Sequence, residues 1–163
     1  MKTIKKMWGG VGTGLFWLLW PAWVVYFRIS NVRARVLVVC GDEVLLVQGW
    51  LGTKNWNLPG GGATKNEKTV SAAARELHEE TGILAPESSL TKLASFKHKK
   101  YNFKYHGDLF VLSLNEKPEL SLRKGEIWNA AWVPLAEMKQ YDLDDEARLA
   151  LRRYQPPERP SLL

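Results

Sequence analysis

The hydrophobic pattern of the chain changes period several times, and each change predicts an element. Arg33 to Val39 and Glu43 to Gln48 are β-branched and aliphatic runs on either side of Gly41-Asp42, a strand–turn–strand signal. Gly49 to Asn55 reads as loop. From about Lys65 the apolar positions shift to helical spacing, with Val70, Ala74 and Leu77 on one face and Ala72, Ala73 and Ala74 as strong helix formers. Thr64 and Glu67 have capping-box spacing, so the helix is expected to start there. Gly82 suits the left-handed residue that stops a helix. A linker runs through Pro86. Leu90 to Lys100 and Lys104 to Leu114 read as two further strands around Tyr101-Asn102, and Glu126 to Val133 as another, stopped by Pro134. Asp142 opens a last helix, with Leu143, Ala147, Leu151 and Tyr154 on one side. No internal repeat is visible. Strands alternating with helices predict an α/β fold with a mixed sheet between helices.

The predicted helix carries a chemical oddity. Glu76, Glu79 and Glu80 are three and four apart, so they share a face. Like charges at these spacings cost roughly 0.2–0.5 kcal/mol per pair, and Arg75, four before Glu79, offsets only part of that. A solvated acidic face is the ordinary reading of RELHEE by itself. The preceding glycines Gly60, Gly61 and Gly62 favour another, because glycine lets the backbone approach a ligand closely. Hard divalent cations take oxygen ligands, and such a cation would turn the repulsion into coordination.

Gly61, Glu67, Arg75, Glu76, Leu77, Glu79, Glu80, Gly82 and Ile83 fill all nine fixed positions of G-x5-E-x7-R-E-U-x-E-E-x-G-U, where U is aliphatic. The segment resembles the Nudix box, and Trp56-Asn57-Leu58-Pro59-Gly60 resembles its usual lead-in. The resemblance implies an α/β/α sandwich with a mixed sheet, and a hydrolase that cleaves the pyrophosphate linkage of a nucleoside diphosphate joined to another group with Mg²⁺ or Mn²⁺. It implies Glu76, Glu79, Glu80 and the Gly61 carbonyl as metal ligands, with one glutamate serving as base in some members, Arg75 orienting a glutamate, and Glu67 behind them. Glu126, just before the strand ending at Pro134, stands where members of the family carry a further catalytic acid; a plain exposed loop glutamate is the competing reading. Where members often place a phosphate-touching arginine after the second strand, this chain has Gln48. His78, at a variable box position, is expected to face solvent.

The remaining composition narrows this little. The length suits one domain, here residues 31–155, followed by a polar tail at 156–163. The lone cysteine, Cys40, excludes an internal disulfide and is expected to be a buried inert thiol. A net charge of +6 suits anionic partners without choosing among them. Lys97, His98, Lys99, Lys100 and Lys104 beside Tyr101 and Tyr105 either hold a polyphosphate and stack a base or form a charged edge strand, the favoured reading. Lys54, Lys97 and Tyr101 are the candidate substrate contacts. Tyr101 lies where dinucleoside-polyphosphate members of the family carry a tyrosine. Trp50, Trp56 and Trp128 can stack on a base or pack in the core or rim.

Residues 1–30 include twenty uncharged positions from Trp8 to Phe27. The run is long enough to span a bilayer, but four tryptophans, four glycines and Pro21 are unusual for a spanning centre. An anchor at a membrane surface, a segment packed on its own domain or on a second copy in a homodimer, and a cleaved signal all remain open. The expected location is cytoplasmic, with membrane association as an addition. The alternatives to a hydrolase are a nucleotide-binding regulatory module of the same fold and a membrane-associated protein. No specific nucleic-acid partner is expected.

Overall fold

Val36, Leu37, Val38 and Val39 are all buried, so the strand that carries them has no solvent face and must lie inside a sheet covered on both sides. A computed structural model, which describes residues 31–50, 54–100 and 103–156, shows this arrangement. The strands are β1 (Val32–Cys40), β2 (Glu43–Gly49), β3 (Thr91–Lys100), β4 (Phe103–Leu114) and β5 (Ile127–Pro134). They form one sheet in the order β3-β4-β1-β2-β5, with β1 parallel to β4 and the other neighbours antiparallel. The expected mixed sheet is therefore present, and β3, the lysine-rich strand, lies at an edge.

Two helices cover the two faces. Helix α1 (Thr69–Thr81) packs Ala72, Ala73 and Leu77 against Ala34, Val36 and Val38. Helix α2 (Asp145–Arg153) packs Ala147 and Ala150 against Leu37, Val39 and Leu46. Single 3-10 turns at Glu87–Ser89 and Leu135–Gln140 were not foreseen. Cys40 is a buried free thiol, as expected. Among the described residues no helix is long and apolar enough to cross a membrane. The apolar run 8–27 and most of the tail lie outside the described residues.

Both helix starts differ from the sequence expectation. Helix α1 begins at Thr69, not Lys65, and its N-cap Lys68 makes no side-chain cap bond. Asn66 adopts φ 68°, which no helix accommodates. The Thr64–Glu67 pairing does form, with Thr64 N–H and Oγ1 both donating to Glu67 Oε2 at 2.7 and 3.0 Å, but it closes a turn ahead of the helix. Thr69 Oγ1 donates to Asp108 Oδ2 on β4 at 2.7 Å and pins the true start. Helix α2 begins at Asp145, not Asp142. Residues 142–144 are held extended against Trp56 by backbone bonds of 2.8 and 3.0 Å, and Asp144 then caps the helix by accepting from Ala147 N–H at 2.7 Å.

The feature that shapes the site is a fork. β1 and β2 pair at Val39–Val44 and Cys40–Glu43, and then diverge. Residues 56–63 fill the gap. Ala34 and Val36 donate to the carbonyls of Gly61 and Pro59, both at 2.9 Å, while Asn57 exchanges two bonds with Val47. From below, Arg35 holds this wedge: its guanidinium donates to the Leu58 and Gly60 carbonyls and to Glu146 Oε2, the last at 2.9 Å. Burial pushes the Glu146 carboxyl up, but the charge and hydrogen bond of Arg35 outweigh it and hold the group below its ordinary 4.5. Glu146→Ala is expected to destabilise the fold by about 3–5 kcal/mol, because it leaves a buried guanidinium without its counter-charge; a denaturant midpoint reads this. The depressed carboxyl stabilises the fold above its ordinary value, so wild type should lose that contribution on acidification and the variant should not. A loss below about 1 kcal/mol would mean that the two carbonyls suffice for Arg35.

Candidate active site

The wedge presents the glycines to helix α1, and each glycine is constrained differently. Gly60 sits at φ 134°, and a Cβ there would overlap the Ala34 carbonyl, so packing on β1 demands glycine at this point. Gly61 lies against a side chain: an added Cβ would stand 2.6 Å from the Glu76 carboxyl carbon. The Gly62 carbonyl accepts from Arg75 Nη2 at 3.0 Å. Of the three glycines, only Gly60 uses a positive φ.

Arg75 is the hub of the acidic face. It forks onto Glu67 through Nε and Nη2 at 2.9 and 3.0 Å, and its Nη1 reaches Glu76 at 2.8 Å and Glu79 at 3.4 Å. The hydrogen bond from Arg75 is the largest influence on Glu67 and holds its carboxyl down at about 2. Glu67 thus faces Arg75 and its own turn. Glu76 is 8% exposed. Burial pushes its carboxyl up, and Arg75 offsets this only in part. Glu80 Oε2 accepts the Gly60 N–H at 2.8 Å. Burial lifts Glu80 to about 7 against the opposing charge of Arg35. Gly82 ends the helix at φ 78° in the left-handed region, as read.

A second cation closes the outer side. Arg123 Nη1 contacts Glu79 Oε2 at 2.9 Å and Glu126 Oε2 at 3.1 Å. Its segment is fastened to the end of α1 by Ser121 N–H to the Thr81 carbonyl and Arg123 N–H to the Glu80 carbonyl. Glu126 is close enough for its charge to raise both Glu76 and Glu80. It is an exposed turn residue, as the competing reading had it, and it is tied to the box acids through Arg123.

The site brings together Gly61, Arg75, Glu76, Glu79, Glu80 and Glu126. The carboxylates are not gathered as they lie: among the described residues no three His, Cys, Asp or Glu groups stand close enough to enclose an ion. Arg75, Arg123 and the Gly60 amide hold them apart. The donor set nevertheless fits a hard divalent cation. Glu76 is buried and Glu80 half-buried, and desolvation raises both carboxyls, a cost of ionisation that a bound cation relieves. The Gly61 carbonyl spends one lone pair on Ala34 and keeps another.

The expected substrate contacts are dispersed. Lys54 is exposed, and its carbonyl accepts from Gln48 Nε2 at 2.8 Å. Lys97 lies on the edge strand in a shallow groove lined by Asn31, His98, Lys104, Tyr105 and His106, with no residue of the box. Tyr101 lies outside the described residues. His78 faces solvent as expected. Trp56 packs edge-on against Tyr141 with centroids 5.7 Å apart, whereas Trp50 and Trp128 are exposed.

Sequence reasoning missed Arg35 and Arg123. Arg35 alternates with Leu37 and Val39 on an inward face, where a buried arginine requires a partner. Arg123 stands three residues before Glu126, a spacing at which a basic and an acidic side chain meet.

The NUDIX domain family matches residues 30–154. The RNA pyrophosphohydrolase of Bartonella clarridgeiae is 28% identical over 106 residues, covering 53% of this chain and 60% of that protein. Nudix hydrolase 7 of Arabidopsis thaliana is 36% identical over 116 residues, covering 68% of this chain and 40% of that one. The chain thus spans less than two thirds of the length of these relatives. The crystal structure of a MutT NUDIX hydrolase from Burkholderia pseudomallei superposes with a TM-score of 0.68 at 22% identity, covering 76% of this chain and 97% of the other, a likeness of fold.

Proposed function

Because the chain belongs to the NUDIX domain family, we propose that it is a metal-dependent pyrophosphohydrolase acting on a nucleoside diphosphate derivative. The observation that carries this reading is a linked set of four acids: Glu76 and Glu80 lie against Gly61 and Gly60 of the glycine wedge, and Glu79 and Glu126 share Arg123.

Glu76, Glu79, Glu80 and the Gly61 carbonyl would hold Mg²⁺ or Mn²⁺. The bound ion supplies charge neutralisation at the diphosphate oxygens and a lowered pKa for water. The chain's own residues do the rest. Arg75 fixes the rotamers of Glu76 and Glu79. Glu79, with 37% of its side chain exposed, and Glu126 are the candidates to accept a proton from attacking water. Arg123 sits between them and sets their separation. Lys54, Lys97 and Tyr101 are assigned to the outer part of the substrate, where basic groups attract its remaining charge. Neither a membrane surface nor a second copy of the chain enters this reading.

A panel of nucleoside diphosphate sugars, dinucleoside polyphosphates and 5′-triphosphorylated oligoribonucleotide, incubated with Mg²⁺, tests it. Release of a nucleoside monophosphate or diphosphate from one of the first two classes, or of pyrophosphate or phosphate from the oligoribonucleotide, is expected, abolished by chelation and restored by added Mg²⁺. Binding without cleavage of any member, with Mg²⁺ or Mn²⁺, would favour the regulatory-module alternative.

A further inference from the structure

Trp50 and Trp128 are the largest unexplained surface feature among the described residues: they are 64% and 65% exposed, while every other described tryptophan is at least partly covered. Their rings meet edge to face, with centroids 6.1 Å apart and planes inclined by 63°. The pair is joined to the acidic site. Trp50 N–H donates to the Glu126 carbonyl at 2.7 Å, Trp128 follows Glu126 by two residues, and the Glu126 carboxylate shares Arg123 with Glu79. Trp128 is the extra residue where the β2–β5 register shifts between Gln48 and Gly49, a bulge of the kind that re-aims a side chain beside a site.

We infer that Trp50 and Trp128 form a platform on which the aromatic base of the substrate stacks, which makes the substrate a base-bearing nucleotide rather than a base-free diphosphate ester. The inference rests on the hydrolase reading for the position of the diphosphate. The ring geometry fixes the mode. Stacked atoms separate by about 3.5–4 Å, so a sandwich needs roughly 7–8 Å between parallel planes, and an inclined pair at 6.1 Å offers no such slot. The base lies on the open face of one indole, with the other bracing that indole from the side. An indole accepts any base, because every base has a π-face. The surroundings favour a small polar ligand over a second protein. Gln48, two residues before Trp50, accepts from Asn129, which follows Trp128, at 3.5 Å, and Glu126, whose carbonyl binds the Trp50 backbone, pairs its carboxylate with Arg123. Two exposed rings with polar neighbours along both strands are less than the broad apolar area of a docking face.

AMP and ribose 5-phosphate, which differ by the base alone, are the probes. Each is titrated with Mg²⁺ into the full chain and into Trp50→Ala, Trp128→Ala and Trp128→Phe, followed by calorimetry and by quenching of tryptophan emission. Wild type is expected to prefer AMP by roughly tenfold or more, within the range for one stacked base. Each alanine variant should lose most of that preference with ribose 5-phosphate binding unchanged, and Trp128→Phe should keep it within about threefold. Equal binding of the two probes by wild type, alanine variants that retain the preference, or sedimentation showing the pair buried between two copies would each overturn the inference. The titration needs no turnover. An AMP preference that persists when no panel compound is hydrolysed would therefore sink the hydrolase reading and leave the platform standing.

Discussion

Glu80→Gln is expected to lower kcat by about a hundredfold to a thousandfold, the usual effect of removing one preorganised charge from a site that stabilises a transition state, while the fold stays intact. The amide oxygen of glutamine can still accept the Gly60 N–H that Glu80 accepts at 2.8 Å, so the wedge keeps its contact with α1. Burial raises the Glu80 carboxyl to about 7. A carboxyl so raised favours the fold only while protonated, and its contribution is lost as pH climbs from 4.5 through 7. Replacing it with a neutral amide should leave the Tm at neutral pH unchanged or slightly higher. Glu79→Gln should lose turnover to a similar extent for a different structural cost. Glu79 is 37% exposed and ion-paired with Arg123 and Arg75, and pairs at such exposure contribute about 0–1 kcal/mol. Steady-state kinetics and thermal melts on both variants check this. Raising Mg²⁺ separates the roles: activity recovered at high metal marks a ligand, and activity that stays low marks a proton acceptor. Full activity in both variants would remove these side chains from the reaction.

The parts of this site that sequence revealed are those written in short-range spacing. Three carboxylates three and four residues apart on a helix share a face wherever that helix packs, and a glycine at 82 ends it. The hairpins around Gly41-Asp42 and Tyr101-Asn102 are local signals too, and both strand pairs form. Most of the failures are contacts between separate segments. The Thr64–Glu67 spacing indicated a cap, yet Glu67 is drawn to Arg75 eight residues on and Asn66 turns left-handed, so the pairing closes a turn and the helix waits until Thr69 meets Asp108. Asp142 had the composition of a helix start but lies extended along Trp56. The glycine loop was read as an approach to a ligand. Its first demand is the Ala34 carbonyl behind Gly60, and that follows from the fork between β1 and β2, which no local pattern encodes. Arg123 reaches Glu79 across forty-four positions of sequence, so only the fold joins them.

Arg75→Ala is expected to damage both stability and metal use, and the two effects can be read apart. On the stability side, removing the guanidinium strips Glu76, whose side chain is 10% exposed, of its nearest cation, and leaves Glu67 without its two bonds from the fork. Arg75 is itself 31% exposed, so water takes up part of the loss, and about 1–3 kcal/mol is the expected cost. On the functional side, Arg75 holds Glu76 and Glu79 by ion pairs at 2.8 and 3.4 Å, and in the proposed reaction it positions them. Losing a group that orients ligands typically costs 10- to 100-fold in metal affinity or activity, so the Mg²⁺ concentration for half-maximal rate should rise by about that factor. A purely structural role would lower the denaturant midpoint and leave this Mg²⁺ requirement where it was. Arg75→Lys sharpens the distinction. A lysine restores a positive charge beside Glu76, but one ammonium cannot reproduce a fork that meets Glu67, Glu76, Glu79 and the Gly62 carbonyl together. It should therefore recover much of the stability and little of the metal affinity. Mass action supplies an independent reading: Mg²⁺ that binds only the folded chain raises its Tm, and the rise should be smaller in both variants than in wild type. Variants that matched wild type in this metal-induced rise, after losing the stability of the fork, would show that the carboxylates orient themselves without Arg75.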